Sequence, residues 1–289
     1  MRTRFKDEAL DNQFEKDGYI VIPNWVNADQ VSSMNAVLND GQKELALGEN
    51  ILNTLLIENK EKRDEISERL MEQLRPSIDK YFVDYLPYFG YSLIKPCSPN
   101  MVNFHSDSSI LNEDKFEYVT MWLPLEDVNK DNGCIFIVPG SGKLFTYEFP
   151  FNVAWPYPQL FDTLKKYAVD LPMKAGDLLL FSAKTLHGSY PNQTQTPRKV
   201  VATALIPPDS EMLFYYYDRD DNTVNTYEVD PWFYFRNEFG DPNGKYPLKR
   251  SYTFNPPEIS QQAIKDFFEK EPVKTNLFSN LLRRLGVNA

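Results

Sequence analysis

Two short stretches, Phe104-His105-Ser106-Asp107 and Thr185-Leu186-His187-Gly188-Ser189, contain both histidines of this 289-residue chain. Alternate side chains of an extended strand point to the same face, so the pattern His-x-Asp places His105 beside Asp107. A site that needs two imidazoles has to use both histidines. The sequence therefore predicts that the strand carrying His187 comes to lie close to the His-x-Asp strand.

Two neutral nitrogens and one carboxylate on one side of a metal ion form the facial triad of non-haem Fe(II) oxygenases. We interpret His105, Asp107 and His187 as candidate metal ligands and as the catalytic centre. The alternative is a chance tripeptide in a turn and an ordinary loop histidine. The residues that follow His187 favour the metal site.

Arg198 follows His187 by eleven residues and begins the apolar run 199–206, and the intervening segment 191–197 consists of turn-forming residues. A turn of this size returns the chain as the next antiparallel strand, so Arg198 and His187 can share one cavity. A planar guanidinium there suits bidentate binding of a carboxylate. Ser189, on the same strand face as His187, can add a hydroxyl to that carboxylate.

These features resemble the phytanoyl-CoA dioxygenase family of Fe(II)/2-oxoglutarate-dependent oxygenases. The resemblance extends from about residue 14 to about residue 206, with the motifs in the family's order and spacing. The motifs lie at 14–19, 104–107, 121–127, 132–141, 176–181, 187–189 and 198. The resemblance implies a mainly β fold with flanking helices and a double-stranded β-helix core, which is a jelly-roll, cupin-like architecture.

Carried over residue by residue, the resemblance implies that His105, Asp107 and His187 bind Fe(II). Arg198, with Ser189, would bind the distal carboxylate of 2-oxoglutarate, and O₂ would be the third reactant. Halogenating relatives replace the triad carboxylate with Gly or Ala. The intact Asp107 therefore favours hydroxylation, or a related desaturation or cyclisation.

Four more positions are interpreted through the resemblance. Trp122 matches a tryptophan that lines the cosubstrate pocket in the family, and Thr120, on the same strand face, is a second candidate for cosubstrate binding. Lys95 lies near a cosubstrate-side lysine of some members, but the segments align poorly there, so we interpret it as a solvated lysine. Gly142 stands where the family often has a histidine, a departure that concerns substrate handling and leaves the metal set complete.

Composition limits the possible partners. The net charge of −10 and the pI near 4.9 argue against nucleic acid and against an anionic membrane surface. No apolar run is long enough for a membrane span or a leader, and two cysteines do not make a secreted disulfide framework. We expect a cytoplasmic enzyme that acts on a small-molecule substrate.

The chain has no internal repeat and no low-complexity linker, so we expect a single oxygenase domain over 1–289. Within it we expect a helical part at about 1–88, the β-helix core at about 89–210 and an aromatic and helical part at about 211–289. Helices are predicted over 7–17, from about 27 to 48, over 58–86 with a kink or break at Pro76, and over 258–285. Strands are predicted at 18–23, 91–95, 100–105, 117–125, 134–138, 169–172, 177–182 and 199–206.

Two questions remain open at this point. The aromatic, proline-rich segment 140–167 either forms a lid over the barrel mouth or packs on the outer face of the barrel, and the aromatic segment 212–254 matches no pattern. Two alternative functions are considered. One is a cupin-type jelly roll that acts without 2-oxoglutarate, and the other is a non-catalytic binding module. Arg198 and Ser189 argue against the first alternative, and the intact triad argues against the second.

Overall fold

A computed structural model of the chain describes residues 2–41, 50–236 and 239–270. The helices are α1 (Glu8–Asp17), α2 (Ala28–Gly41), α3 (Lys60–Tyr81), α4 (Phe161–Lys165), α5 (Phe233–Arg236) and α6 (Gln261–Lys270). The strands are β1 (Tyr19–Ile22), β2 (Leu52–Asn53), β3 (Leu86–Pro87), β4 (Tyr91–Lys95), β5 (Val102–His105), β6 (Val119–Pro124), β7 (Ile135–Ile137), β8 (Val169–Leu171), β9 (Leu178–Ser182), β10 (His187–Ser189), β11 (Arg198–Ile206), β12 (Leu213–Asp218), β13 (Thr223–Glu228) and β14 (Leu248–Thr253). Within these described ranges, no helix has the length and apolar character that crossing a bilayer requires.

Two antiparallel sheets build the core. The larger sheet has the strand order β1-β9-β6-β11-β4-β2, with β3 paired to β11, and the smaller sheet has the order β5-β10-β7-β8. Strands β12, β13 and β14 form a separate three-stranded sheet. The prediction of a mainly β, jelly-roll fold with flanking helices is confirmed.

Side-chain alternation on the strands of the larger sheet produces the layers. Met121 and Leu123 of β6 join the core that the sheet shares with α1, α2 and α3. Trp122, between them, points to the other face and packs with Cys134 and Ile135 beside the smaller sheet. One strand thus supplies an outer, helix-covered face and an inner face that lines the space between the sheets.

The stripe Ile66, Leu70, Leu74 and Ile78 explains why α3 is a single helix. These side chains repeat every four residues and are buried against the larger sheet. Of the kink or break predicted at Pro76, the break is wrong, because the helix continues through the proline to Tyr81. The packing of this continuous stripe outweighs the local cost of the proline.

The ends of two other predicted helices cannot be compared with the structure. The predicted end near Gly48 and the apolar positions Leu277, Leu281 and Leu282 lie outside the described residues. Three strands arise from the segment 212–254 that the sequence left without a pattern, and its aromatic side chains form a core with Phe89, Leu111 and Tyr118.

The aromatic segment 140–167 covers the outer face of the smaller sheet. Phe104 and Phe136 point away from the inter-sheet space and pack in one buried cluster with Phe145, Tyr157 and α6. This arrangement favours the outer-face alternative over a lid for most of the segment.

Trp155→Ala should therefore act on stability. The half-buried indole lies 6.0 Å from the ring centroid of Phe145 and 5.5 Å from that of Tyr157. Its removal should lower the free energy of unfolding by about 2 kcal/mol. Urea unfolding followed by circular dichroism measures this loss, and an unchanged midpoint would contradict the outer-face packing.

Candidate functional site

The pairing of β5 with β10 brings the two histidines together. His187 stands directly opposite His105 in the register, and the imidazole centroids are 4.3 Å apart. Asp107 lies just beyond the end of β5, with its Oδ1 3.7 Å from Nε2 of His187. Nitrogen or oxygen atoms of all three side chains lie within 4.8 Å of one another. The structure therefore gathers the predicted triad in one place.

Backbone carbonyls fix both imidazoles in the same tautomer. Nδ1 of His105 donates to the carbonyl oxygen of Asn103 at 2.9 Å, and Nδ1 of His187 donates to that of Thr185 at 3.0 Å. A carbonyl oxygen only accepts, so the proton is on Nδ1 and the lone pair is on Nε2. Burial, followed by the nearby His105, lowers the pKa of His187 to about 4. Its Nε2 is therefore a neutral donor atom near pH 7, as a metal ligand must be.

Two contacts orient Asp107. Its backbone N–H donates to the carbonyl oxygen of Ala183 at 2.8 Å, and its Oδ2 accepts from the Thr120 hydroxyl at 2.5 Å. Thr120 is thus placed against the triad carboxylate, whereas the sequence suggested a place in the cosubstrate pocket. In this position it leaves Oδ1 on the side of His187.

The chain around His187 is held by residues of the motif at 132–141. Ser141 is fully buried, and its hydroxyl oxygen accepts from the backbone N–H of Leu186 at 2.8 Å. Gly188 of β10 lies against Phe136 of β7. An added Cβ would lie 2.6 Å from the ring of Phe136 and 2.5 Å from a backbone oxygen. The sequence His-Gly-Ser therefore lets β10 pass close to its neighbours while both of its polar side chains face inward.

Arg198 lies fully buried on the inner face of the larger sheet. Its Cζ is 5.1 Å from the ring centroid of Trp122, so both predicted residues are in one pocket. Its Nε and Nη1 are buried and have no hydrogen-bond partner in the described part of the chain. Burial lowers the pKa of Arg198 to about 10 despite the attraction of Glu126, so the side chain stays charged at neutral pH.

Lys95 lies in the Arg198 pocket, which the sequence interpretation missed. It stands opposite Arg198 in the register of β4 and β11 and is 2% exposed, so the expectation of a solvated lysine is wrong. Its Nζ donates to the hydroxyl oxygen of Ser189 at 2.9 Å. Burial, followed by the charge of Arg198, lowers the pKa of Lys95 to about 7. The available signal was its place at the end of the strand Tyr91–Lys95, where alternation puts it on the same face as Tyr91 and Leu93.

The triad and the two buried cations can be compared with the chemical needs of Fe(II) and 2-oxoglutarate. Two neutral nitrogens and one carboxylate oxygen form a donor set that suits Fe(II). The buried cations Arg198 and Lys95 have no carboxylate hydrogen-bonded to them among the described residues, and a buried charge normally has a partner. An anionic ligand with a carboxylate would supply that partner, so the residues present fit both Fe(II) and 2-oxoglutarate.

Gly142, the departure from the family pattern, lies apart from the triad. It lines a cavity of about 540 Å³ that includes Glu117 and Lys184 and none of the three triad residues. A Cβ at Gly142 would lie 3.2 Å from Cβ of Lys184. The missing side chain therefore concerns this cavity and the turn after β9.

Comparisons with known proteins agree with this site. The sequence model of the family described as phytanoyl-CoA dioxygenase (PhyH) matches residues 87–200. Phytanoyl-CoA dioxygenase 1 of Oryza sativa subsp. japonica is 32% identical over 108 residues, which are 35% of this chain and 37% of the rice protein. The peroxisomal phytanoyl-CoA dioxygenase of Homo sapiens is 30% identical over 93 residues, 29% of this chain and 27% of the human protein. The matches thus span about a third of the length of these relatives.

A solved structure shares the fold. The non-heme alpha ketoglutarate dependent carbocyclase SnoK from nogalamycin biosynthesis is similar with a TM-score of 0.55 and 18% identity, over 71% of this chain and 86% of SnoK. The family match at residues 87–200 contains His105, Asp107 and His187 and extends to Arg198. This segment is therefore the part of the chain that is similar to the phytanoyl-CoA dioxygenase family.

Proposed function

We propose that this protein is an Fe(II)- and 2-oxoglutarate-dependent dioxygenase that hydroxylates a small-molecule metabolite and releases succinate and CO₂. One observation carries the proposal: a two-histidine, one-carboxylate cluster lies in the same fold as a buried arginine whose Nε and Nη1 have no partner among the described residues. The first feature suits a metal, and the second suits a carboxylate. A jelly roll that acts without 2-oxoglutarate needs no such arginine.

In this proposal, His105 and His187 bind the metal through Nε2, and Asp107 binds it through Oδ1. A bound Fe(II) would supply the redox-active centre at which O₂ oxidises 2-oxoglutarate and the substrate. The carbonyls of Asn103 and Thr185 and the hydroxyl of Thr120 would keep the three side chains in position. A set of three protein ligands would leave room at the metal for cosubstrate and O₂.

The distal carboxylate of 2-oxoglutarate would be bound by Arg198 through its planar guanidinium. Ser189 accepts a hydrogen bond from Lys95, which leaves its own hydroxyl proton available for the same carboxylate. Lys95 would add a second positive charge, and Trp122 would form the apolar wall beneath Arg198. Burial of these groups makes each charge-assisted hydrogen bond stronger than it would be in water.

The remaining predictions belong to this proposal. We propose a single oxygenase domain over residues 1–289, a small-molecule substrate and no nucleic-acid partner, which the net charge of −10 supports. A cytoplasmic location stays a prediction. The name of the human relative assigns that protein to the peroxisome, and cell fractionation tests the location of this one.

The test is release of succinate from 2-oxoglutarate by purified protein with Fe(II), ascorbate and O₂, measured with and without a library of candidate metabolites. We expect slow, iron-dependent succinate release alone and a stimulated rate with the substrate. Asp107→Asn should remove this activity, and Glu72→Gln, an exposed carboxylate change on α3, should keep it. Metal binding without any succinate release would favour a cupin-type function. The absence of both metal binding and succinate release would favour a binding module.

The lowered pKa of Lys95 predicts a pH dependence of cosubstrate affinity. Lys95 is charged below pH 7, whereas above it the side chain must take up a proton when the anion binds, because the carboxylate raises its pKa in the complex. The KM for 2-oxoglutarate should therefore rise as pH increases above 7, by at most about tenfold per unit.

Lys95→Met should have a higher KM at pH 6.5 and a flat profile above pH 7. Lys199→Met is the matched control, because Lys199 lies on β11 and its Nζ donates to Asn39 outside the pocket. The same slope in wild type and Lys95→Met would assign the titration to another group.

A further inference from the structure

A second cavity lies between α3 and α5 and is also lined by Tyr88 and Phe89. Its volume is about 520 Å³, and no triad residue and no residue of the Arg198 pocket lines it. Its walls combine basic side chains of α3 with aromatic side chains of α5 and of the segment before β4. The central residues are Arg63, Phe89, Trp232 and Phe235.

Arg63 is the unusual member of this cavity. It is 7% exposed, and within the described residues it makes no hydrogen bond or ion pair. Its Nε is completely buried without an acceptor, and its Cζ lies 5.2 Å from the ring centroid of Phe235. A buried N–H without an acceptor is costly, and such groups are rare in folded proteins.

Two other arginines of the chain have the carboxylate partner that Arg63 lacks among the described residues. Arg69, also on α3, forms an ion pair with Glu65 at 3.0 Å. Arg4 is as buried as Arg63, but it pairs with Glu117 at 2.5 Å. Arg198 has two buried nitrogens without partners, Nε and Nη1, where Arg63 has Nε alone, and a carboxylate ligand accounts for those of Arg198 in the proposed function.

The surroundings of Arg63 favour an anion with an apolar body. Lys60, Arg75 and Arg236 also line the cavity, with the carboxylates of Asp64 and Glu68, and Arg236 pairs with Asp230 at 2.6 Å. This set is locally basic in a chain with a net charge of −10. Trp232 is 58% exposed at the cavity, where an aromatic side chain offers a flat surface to a ligand. 

We propose that this cavity is a binding site for a small molecule that carries a carboxylate or phosphate on a flat apolar body. Arg63 binds the anionic group, and Trp232 and Phe235 contact the apolar part. The site is separate from the metal centre, so it serves a second ligand. The anionic group of the ligand supplies a hydrogen-bond acceptor for Nε of Arg63. The cavity is large enough for a small aromatic anion.

The test uses calorimetric titration of purified protein with phenyl phosphate, benzoate and inorganic phosphate. We expect at least one of the two aromatic anions to bind more tightly than inorganic phosphate, and the comparison of the two tells phosphate from carboxylate. Arg63→Met should weaken that binding at least about tenfold, the usual order for losing one charged hydrogen bond. Arg69→Met on the same helix should leave it unchanged. Binding should also persist in Arg198→Met, which separates this cavity from the cosubstrate pocket.

Thermal unfolding gives an independent readout. Arg63→Met should raise the Tm of the ligand-free protein, because the substitution removes the buried Nε–H that has no acceptor and keeps a side chain of similar length. It should also abolish the increase in Tm that the aromatic anion causes in wild type. No binding of any of the three probes to wild type, or equal binding to Arg63→Met, would overturn the proposal. A lower Tm in Arg63→Met would assign Arg63 a purely structural role and would overturn it as well.

Discussion

His105→Ala and His187→Ala are expected to give folded proteins that retain no iron and release no succinate. The chain has two histidines, so each substitution removes half of the imidazole nitrogens available to a metal. The remaining histidine and Asp107 form an incomplete set, and the facial triad needs all three side chains. The expected decrease in succinate release is complete, to the level of protein without added iron.

The measurement combines metal analysis after reconstitution with Fe(II) and a succinate assay on the same samples. Circular dichroism and thermal unfolding are the controls for folding, because His187 packs 4.5 Å from the ring centroid of Phe181 and its loss leaves a small cavity. Stoichiometric iron in either folded variant would refute the assignment of the triad.

The grouping of His105, Asp107 and His187 could be predicted from the sequence because few residues were available for it. Two histidines, one of them in the pattern His-x-Asp, leave a single combination, and strand alternation gives the two side chains of that pattern a common face. The strands of the larger sheet could be predicted from their apolar patterns. Buried strands such as Leu178–Ser182 and Arg198–Ile206 have continuous or alternating apolar patterns.

The placement of Lys95 and Thr120 depended on pairing between distant strands. Lys95 becomes buried because β4 pairs with β11 and places it opposite Arg198, and Thr120 reaches Asp107 because the segment after β5 passes β6. Periodicity within one strand gives the face of a side chain but not its partner on another strand. The polar type of a lysine then suggested solvent, although a buried lysine with a lowered pKa was the outcome.

The structure of the aromatic segments also could not be predicted from local sequence patterns. Residues 140–167 contribute short helical turns and irregular backbone, and several of their aromatic side chains pack in one cluster with Phe104 and Phe136 of the smaller sheet. Strand β10 is three residues long and includes Gly188, so it has too little apolar pattern to be predicted as a strand.

Arg198→Lys should raise the KM for 2-oxoglutarate while iron binding stays normal. Lysine keeps the positive charge but loses the planar fork that binds both carboxylate oxygens. The loss of one charge-assisted hydrogen bond in a buried pocket costs about 1.5–3 kcal/mol. This corresponds to an increase in KM of about ten- to a hundredfold.

Saturating 2-oxoglutarate should restore most of the rate in Arg198→Lys, because the lost contact binds the far end of the cosubstrate and not the reacting carbon. Lys199→Gln, a change of charge on the same strand but outside the pocket, should keep the wild-type KM. Steady-state kinetics with 2-oxoglutarate as the varied reactant and metal analysis of the same preparations distinguish the two variants. A normal KM in Arg198→Lys would mean that the distal carboxylate is bound elsewhere, and loss of iron would mean that Arg198 supports the triad. With the expected result, the two nitrogens of Arg198 that lack partners are explained by the cosubstrate.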